Sequence, residues 1–171
     1  VEKKGEILDG YKGGLFADSE EKEFVYREGS LAGAKFEVYA AEDIYTADMQ
    51  TDGDGNRTRY YRKGELVGTL TTGEDGKASI SGLPLGQYRV VETEAPYGYV
   101  LNGEEQLVTF VYVDDKTPVI HESVTFTNDR QKLDVSVIKK DAEEDTPVAG
   151  AVFGLYAAED IENASGEVII E

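Results

Sequence analysis

The chain has no cysteine, no tryptophan and a single histidine among its 171 residues. The lack of cysteine excludes disulfides, thiolate metal sites and cysteine nucleophiles, and one histidine is too few for a histidine-based zinc site. We therefore expect no cofactor. Basic residues are also scarce, with 17 Lys and Arg against 35 Asp and Glu, which gives a net charge of −18. A surface of that sign repels phosphate backbones and anionic lipids, so the composition excludes nucleic-acid binding.

Long apolar segments are missing as well. No run approaches the roughly 20 residues of a membrane span, and the first residues, VEKK, lack the hydrophobic stretch of a signal peptide. We expect no membrane insertion in this segment, and a chain that is soluble or cut from something longer. The 40% of hydrophobic residues is enough for a core, so the chain is expected to be globular.

An internal repeat divides the chain. The segment LAGAKFEVYAAEDI at 31–44 returns as VAGAVFGLYAAEDI at 148–161. The residues VEKK at 1–4 correspond more loosely to VIKK at 137–140. Two units of one kind are therefore predicted.

The repeat sets the predicted domain boundaries. The first unit covers residues 1–131 and carries an insert at 5–30, while residues 132–171 are the N-terminal fragment of a second unit. Short runs rich in Val, Tyr, Phe, Thr and Ile alternate with period two between Gly, Asp and Asn clusters. This pattern predicts an all-β fold, an antiparallel β-sandwich followed by the opening strands of the second repeat.

Three polar side chains continue the apolar face of a predicted strand, because successive side chains alternate between the two faces. They are Lys3 after Val1, Glu92 after Tyr88 and Val90, and Asn128 after Val124 and Phe126. Burying such groups unpaired costs several kcal/mol each. The three side chains therefore need one another or water.

If the three side chains meet, burial favours the neutral form of each ionisable group. A neutral Lys3 amine is a nucleophile, and a protonated Glu92 can polarise the Asn128 amide and pass protons to the departing ammonia. The product is a Lys–Asn amide cross-link. Strand parity is also compatible with separate roles, in which Lys3 reaches solvent from a frayed terminus, Glu92 pairs with an arginine and Asn128 caps a turn.

Three motifs carry a resemblance to a known family. YRVVETEAPYGY at 88–99 resembles the E-box of Gram-positive pilins and surface adhesins, Y-x-L-x-E-T-x-A-P-x-G-Y, with Val90 in place of leucine. LAGAKFEVY resembles the family's P-L-A-G-A-x-F-x-L strand, and TTGEDGKASISGLPLGQY its T-x-x-x-G-x-x-x-x-x-x-L-x-x-G-x-Y run. The family is the Cna B-type or SpaA-type domain, which implies an Ig-like or prealbumin-like sandwich.

The resemblance also implies a site. In this family a lysine of the first strand and an asparagine of the last form an intramolecular isopeptide bond with the E-box glutamate as catalyst, which corresponds to Lys3, Asn128 and Glu92. The family's first strand usually reads Lys-x-Asp, a pattern that Lys139 begins in the second repeat but that Lys3-Lys4-Gly5 does not keep. Lys4 is therefore a rival to Lys3. Lys139 is expected to stay unpaired, because its partners would lie beyond residue 171.

One segment has a metal-like spacing. Asp52, Asp54 and Asn56 have the first three positions of an EF-hand loop. The rest of the loop does not fit, because Arg57 stands where glycine is needed and Lys63 where a bidentate glutamate is needed. A hairpin turn is the favoured interpretation, and no metal site is predicted.

Two functions follow from these observations. The first is a structural stalk domain of a cell-wall surface protein of a Gram-positive bacterium, a pilin or adhesin, which cross-links itself once, is not an enzyme and has neighbouring repeats as partners. The alternative is a ligand-binding adhesin module that recognises a host protein or glycan through the insert at 5–30 and the excursion at 45–63.

Overall fold

A computed structural model describes residues 1–13, 23–45 and 51–170. Within these ranges the chain forms strands, turns and extended segments and no helix, so no described segment meets the requirements for a helix that crosses a membrane. The predicted all-β class is confirmed. The strands are β1 (Glu2–Lys12), β2 (Glu23–Ser30), β3 (Lys35–Ala40), β4 (Ile44–Tyr45), β5 (Arg59–Tyr61), β6 (Leu66–Thr71), β7 (Gly86–Glu94), β8 (Glu105–Phe110), β9 (Thr125–Asn128), β10 (Ile161–Glu162) and β11 (Val168–Ile170).

The chain divides into two compact units. The first consists of Val1–Glu6 and Glu28–Arg130, and the second contains the described residues of Ile7–Arg27 and Gln131–Glu171. The division after Arg130 lies next to the predicted boundary at 131. Most of the predicted insert at 5–30 groups with the second unit, and its residues 14–22 lie outside the described ranges.

The first unit is a two-sheet sandwich. One sheet has the strand order β6-β3-β7-β8 with antiparallel neighbours throughout. The other has the order β2-β1-β9, and the first unit contains β9 with residues 2–6 of β1 and 28–30 of β2. The β1–β9 pair departs from the antiparallel pattern, because β1 runs parallel to β9. No tight turn joins these two strands, since the whole four-stranded sheet lies between them in sequence, and a parallel pair needs such a long connection.

The core lies between the two sheets. Alternate residues of β3 and β7 turn inward, and the ring of Phe36 on β3 meets that of Phe126 on β9 with centroids 4.9 Å apart. The period-two pattern in the sequence therefore corresponds to burial on one face of each strand. The buried apolar cluster consists of Ala34, Phe36, Val38, Ala40, Ile44, Leu70, Tyr88, Val90 and Phe126.

Within its described residues, the second repeat keeps one local element of the first. Ile161 occupies the repeat position of Ile44, and β10 pairs with β11 in an antiparallel hairpin as β4 pairs with β5. The expected opening strands are not formed, since the described residues 131–160 contain no strand, and Phe153, the repeat counterpart of buried Phe36, is 56% exposed. A hairpin needs only its own two strands, whereas a core strand needs long-range partners, and the described residues 131–170 contain no counterpart of β6, β7 or β9.

A buried lysine, glutamate and asparagine

Three strands bring the predicted polar residues together. Lys3 lies on β1, Glu92 on β7 and Asn128 on β9, with only 0%, 2% and 3% of their surfaces exposed. In the parallel β1–β9 pair, Lys3 is opposite Phe126. Opposite residues share a face of the sheet, so the side chains of Lys3 and Asn128, two positions further along β9, both point into the core.

The polar atoms of the three side chains are in direct contact. Lys3 Nζ donates a hydrogen bond to Asn128 Oδ1 at 2.5 Å and lies 2.9 Å from Glu92 Oε1. Asn128 Nδ2 donates to the same Glu92 Oε1 at 2.9 Å. A single carboxylate oxygen therefore touches both nitrogen atoms, so Glu92 can carry a proton from one to the other.

The surroundings of the amine are apolar. Lys3 Nζ lies 5.8 Å from the ring centroid of Phe36 and 5.8 Å from that of Phe126. Burial lowers the pKa of Lys3 from its ordinary value, and the hydrogen bond and charge of Glu92 oppose this shift only in part. Burial thus shifts Lys3 towards the neutral amine, which is the nucleophilic form.

The other two candidate lysines lie elsewhere. Lys4 points away from the core and lies 3.9 Å from the carboxylate of Glu2 and 3.6 Å from that of Glu28, with a third of its side chain exposed. Lys139 is exposed in the second unit. The geometry therefore assigns the buried position to Lys3.

Gly5 accounts for the departure from Lys-x-Asp. It is opposite Asn128 on the inner face of the β1–β9 pair, where a Cβ would lie 2.7 Å from Leu31 Cδ1, 2.8 Å from the Asn128 carbonyl oxygen and 3.1 Å from the Tyr99 ring. Such distances are too short for any side chain. In this chain the Tyr99 and Leu31 side chains occupy the space that an aspartate would need.

Sequence reasoning missed Asn102. Its backbone N–H donates to Glu92 Oε2 at 3.1 Å, and its Nδ2 donates to the Thr127 carbonyl at 3.0 Å. The Asn-Gly dipeptide at 102–103 is a turn signal that could have marked this position. No pattern in the sequence indicates that the turn contacts Glu92.

The metal-like segment is a turn. Asp52 Oδ1 accepts hydrogen bonds from the backbone N–H groups of Asp54 at 3.0 Å and Asn56 at 2.8 Å. The same turn recurs between β10 and β11, where the amide oxygen of Asn163 accepts two backbone N–H bonds in the same way. The neutral amide of Asn163 accepts the same pair of hydrogen bonds as the carboxylate of Asp52, so the position requires a hydrogen-bond acceptor rather than a charge. In the described part of the chain, no three His, Cys, Asp or Glu side chains are placed to hold a metal ion.

The ligand-binding hypothesis stays a prediction, because the structure does not test it. Of its two proposed loops, residues 14–22 and 46–50 lie outside the described ranges. In the remainder, Arg57 packs over the Tyr45 ring at 5.1 Å, and Tyr60 is exposed.

The fold and the site define a class of protein, a prealbumin-like all-β domain with a buried Lys-Glu-Asn cluster. The profile of the family described as SpaA: Prealbumin-like fold domain matches residues 25–128. This match covers more than half of the chain, so the chain belongs to that family. The resemblance stated from the sequence motifs is confirmed.

Similar proteins come from Gram-positive bacteria. The chain is 33% identical over 75 residues to the trypsin-resistant surface T6 protein of Streptococcus pyogenes serotype M6, covering 43% of this chain and 14% of that protein. The group B streptococcus pilus 2b backbone protein has a TM-score of 0.36 and 20% identity over 71% of this chain and 53% of its own. The Actinomyces fimbrial adhesin FimA has a TM-score of 0.31 and 24% identity over 70% of this chain and 50% of its own. This chain thus spans about a seventh of the T6 protein.

Proposed function

We propose that the chain is a structural domain of a pilin or adhesin stalk on a Gram-positive cell surface, and that Lys3 and Asn128 join in an intramolecular isopeptide bond with Glu92 as catalyst. The observation that carries the proposal is the contact of Glu92 Oε1 with both Lys3 Nζ and Asn128 Nδ2, each at 2.9 Å. A Lys–Glu ion pair can also be purely structural, but such a pair has no need for the Asn128 amide nitrogen to contact the same Glu92 oxygen.

The reaction balances within the three side chains. The neutral Lys3 amine attacks Cγ of Asn128, so that the Nζ–Cγ bond forms and the carbonyl oxygen takes up negative charge. The attacking nitrogen loses a proton to Glu92, and Glu92 gives a proton to Nδ2 of Asn128. The Cγ–Nδ2 bond then breaks, the amide carbonyl is restored and ammonia leaves, with Glu92 returned to its starting protonation state.

The reaction happens once in each chain. Lys3 and Glu92 are nearly inaccessible to solvent, so an outside substrate has no route to either group. The domain consumes its own side chains and therefore does not turn over like an enzyme.

Family membership and the surface location named for the T6 protein support placement on the cell surface. Neighbouring repeats of the same polypeptide are the expected partners. The second repeat supports this arrangement, because its apolar positions, such as Phe153 and Leu155, are exposed here although their counterparts Phe36 and Val38 are buried in the first unit.

The intact mass of the purified chain tests the proposal. We expect the wild type to weigh one ammonia less than its calculated mass, and the isosteric variant Glu92→Gln to have its full calculated mass. Lys4→Arg serves as the matched control and keeps the deficit, whereas Lys3→Arg loses it. Fragmentation after proteolysis then locates a branched peptide that joins residues 3 and 128. A full mass in the wild type contradicts the proposal.

A further inference from the structure

The second oxygen of Glu92 has its own partner. While Oε1 faces Lys3 and Asn128, Oε2 accepts a hydrogen bond from the backbone N–H of Asn102 at 3.1 Å. The carboxyl group is thereby held at both ends. Its rotation would break a hydrogen bond whichever way it turned.

This backbone bond favours Oε1 as the oxygen that carries a proton. A backbone N–H can only donate, and the hydroxyl oxygen of a carboxylic acid is a weaker acceptor than its carbonyl oxygen, so the bond holds Oε2 as the carbonyl-type acceptor. The proton that Glu92 relays during the proposed reaction is then carried on Oε1. That is the oxygen in contact with both reacting nitrogen atoms.

The side chain of Asn102 holds the loop in place from two sides. Its Oδ1 accepts the N–H of Glu104 at 2.9 Å, which closes a local turn, and its Nδ2 donates to the Thr127 carbonyl at 3.0 Å. Thr127 immediately precedes Asn128 on β9. One residue therefore connects the catalytic carboxyl group with the strand that supplies the amide.

The loop from Pro96 to Asn102 makes further bonds to the same strands. Tyr99 Oη donates to the Glu6 carbonyl at 2.7 Å, and the N–H of Val100 donates to the Asp129 carbonyl at 2.9 Å. These bonds hold the loop against β1 and against the residue that follows β9. Asn102 is the residue of this loop whose N–H contacts Glu92.

We propose that Asn102 is a positioning residue for the cross-linking reaction, which orients the Glu92 carboxyl group through its backbone N–H and holds β9 through its side chain. This inference rests on the proposed function. Asn102 touches no reacting atom, so its effect is on the rate at which the folded chain cross-links. Misplacement by about 1 Å is enough to slow an aligned reaction by up to roughly a hundredfold.

The test follows folding and cross-linking separately. Unreacted chain recovered in denaturant is diluted into buffer, folding is followed by circular dichroism, and the loss of ammonia is followed by mass spectrometry. We compare the wild type with Asn102→Ala, which loses both side-chain bonds, and with Asn102→Asp, which keeps the acceptor for Glu104. Asp114→Ala is the matched control, because Asp114 caps a turn through the N–H groups of Lys116 and Thr117.

We expect folded Asn102→Ala to cross-link about tenfold or more slowly than the wild type, and Asn102→Asp to fall between them. Folded Asp114→Ala reacts at the wild-type rate. A structural role alone would reduce the folded fraction without changing the rate of the folded chain. If Asn102→Ala does not fold, Asn102→Asp decides, and a wild-type rate overturns the inference.

Two failures are distinguishable. A wild type that keeps its ammonia overturns the proposed function and this inference with it. A wild type that loses ammonia beside an Asn102→Ala variant within about twofold of its rate overturns the positioning role alone. Equal slowing by Asp114→Ala also overturns it, since any loosened turn would then have the same effect.

Discussion

Replacing both Lys3 and Glu92 by neutral residues tests whether the domain is cross-linked. The free energy of unfolding should fall if the wild type carries the cross-link, and stay the same or rise if it does not. The double variant Lys3→Met/Glu92→Gln keeps the side-chain volumes and removes the reacting amine. Methionine can pack against the rings of Phe36 and Phe126 as the Lys3 side chain does, and glutamine can still accept from the backbone N–H of Asn102. Without a covalent bond, exchanging a buried ion pair for neutral groups is often neutral or stabilising by about 1–4 kcal/mol.

The cross-link reverses this expectation. It closes a loop of 125 residues between Lys3 and Asn128. By the loop-entropy relation used for disulfides, such a closure stabilises the fold by about 5 kcal/mol. At about 4 °C per kcal/mol for a domain of this size, the double variant should melt roughly 20 °C below the wild type.

Thermal unfolding followed by circular dichroism measures this difference. Asn102→Ala, measured after its cross-linking is complete, is a useful reference, because it changes packing without removing the bond. A double variant that melts at or above the wild type would refute the reasoning, since the wild type would then be held by packing alone.

The pH dependence of the single variant Glu92→Gln provides a second arm of the same experiment. This variant keeps a free Lys3 amine, whose pKa burial lowers from 10.5. The unfolded chain then binds a proton at pH values where the folded chain does not, so the free energy of unfolding rises with pH up to about 10.5. Urea unfolding should show this rise in Glu92→Gln relative to the double variant. Parallel pH profiles of the two variants would contradict it.

Three further predictions concern the surrounding fold, each checked by urea or thermal denaturation. Gly5→Ala should lower the free energy of unfolding by about 1–3 kcal/mol, because its methyl group would lie 2.8 Å from a backbone oxygen of β9. Gly10→Ala on the same strand should leave it unchanged, because a methyl group there would have nothing within 4 Å. Phe36→Ala should lower the free energy of unfolding by about 3–5 kcal/mol, and Phe153→Ala by less than about 0.5 kcal/mol. Equal losses would contradict the burial of Phe36 and the exposure of Phe153. Asp52→Asn should keep the melting temperature that Asp52→Ala lowers, and calcium should shift neither variant.

Parity along the strands was sufficient to predict which polar residues face the core. The period of two is a property of any extended chain, so Lys3, Glu92 and Asn128 could be placed on apolar faces without knowing the strand order. Their meeting could not be derived from parity. It depends on β1 and β9 lying side by side, a long-range pairing that only the family resemblance indicated.

The parallel β1–β9 pair and the contact of Asn102 with Glu92 could not be predicted for the same reason. Both join positions that are distant along the chain or lie in an irregular loop, where no residue period exists. The second repeat also shows that local sequence does not determine burial. Phe36 and Phe153 stand in nearly identical sequences, yet one is buried and the other exposed, because burial of a strand depends on its partners.

The parallel β1–β9 pair has a consequence for tension along the chain. A pull on Val1 and on the residue after Asn128 acts at opposite ends of two adjacent parallel strands, so the strands would have to slide past each other. In this shear geometry the hydrogen bonds of the ladder resist together, whereas strands peeled apart from one end lose them one at a time. The contact between Lys3 and Asn128 spans these same two strands. A bond at that point would transfer the force from β1 directly to β9 and leave the other strands of the sandwich unloaded.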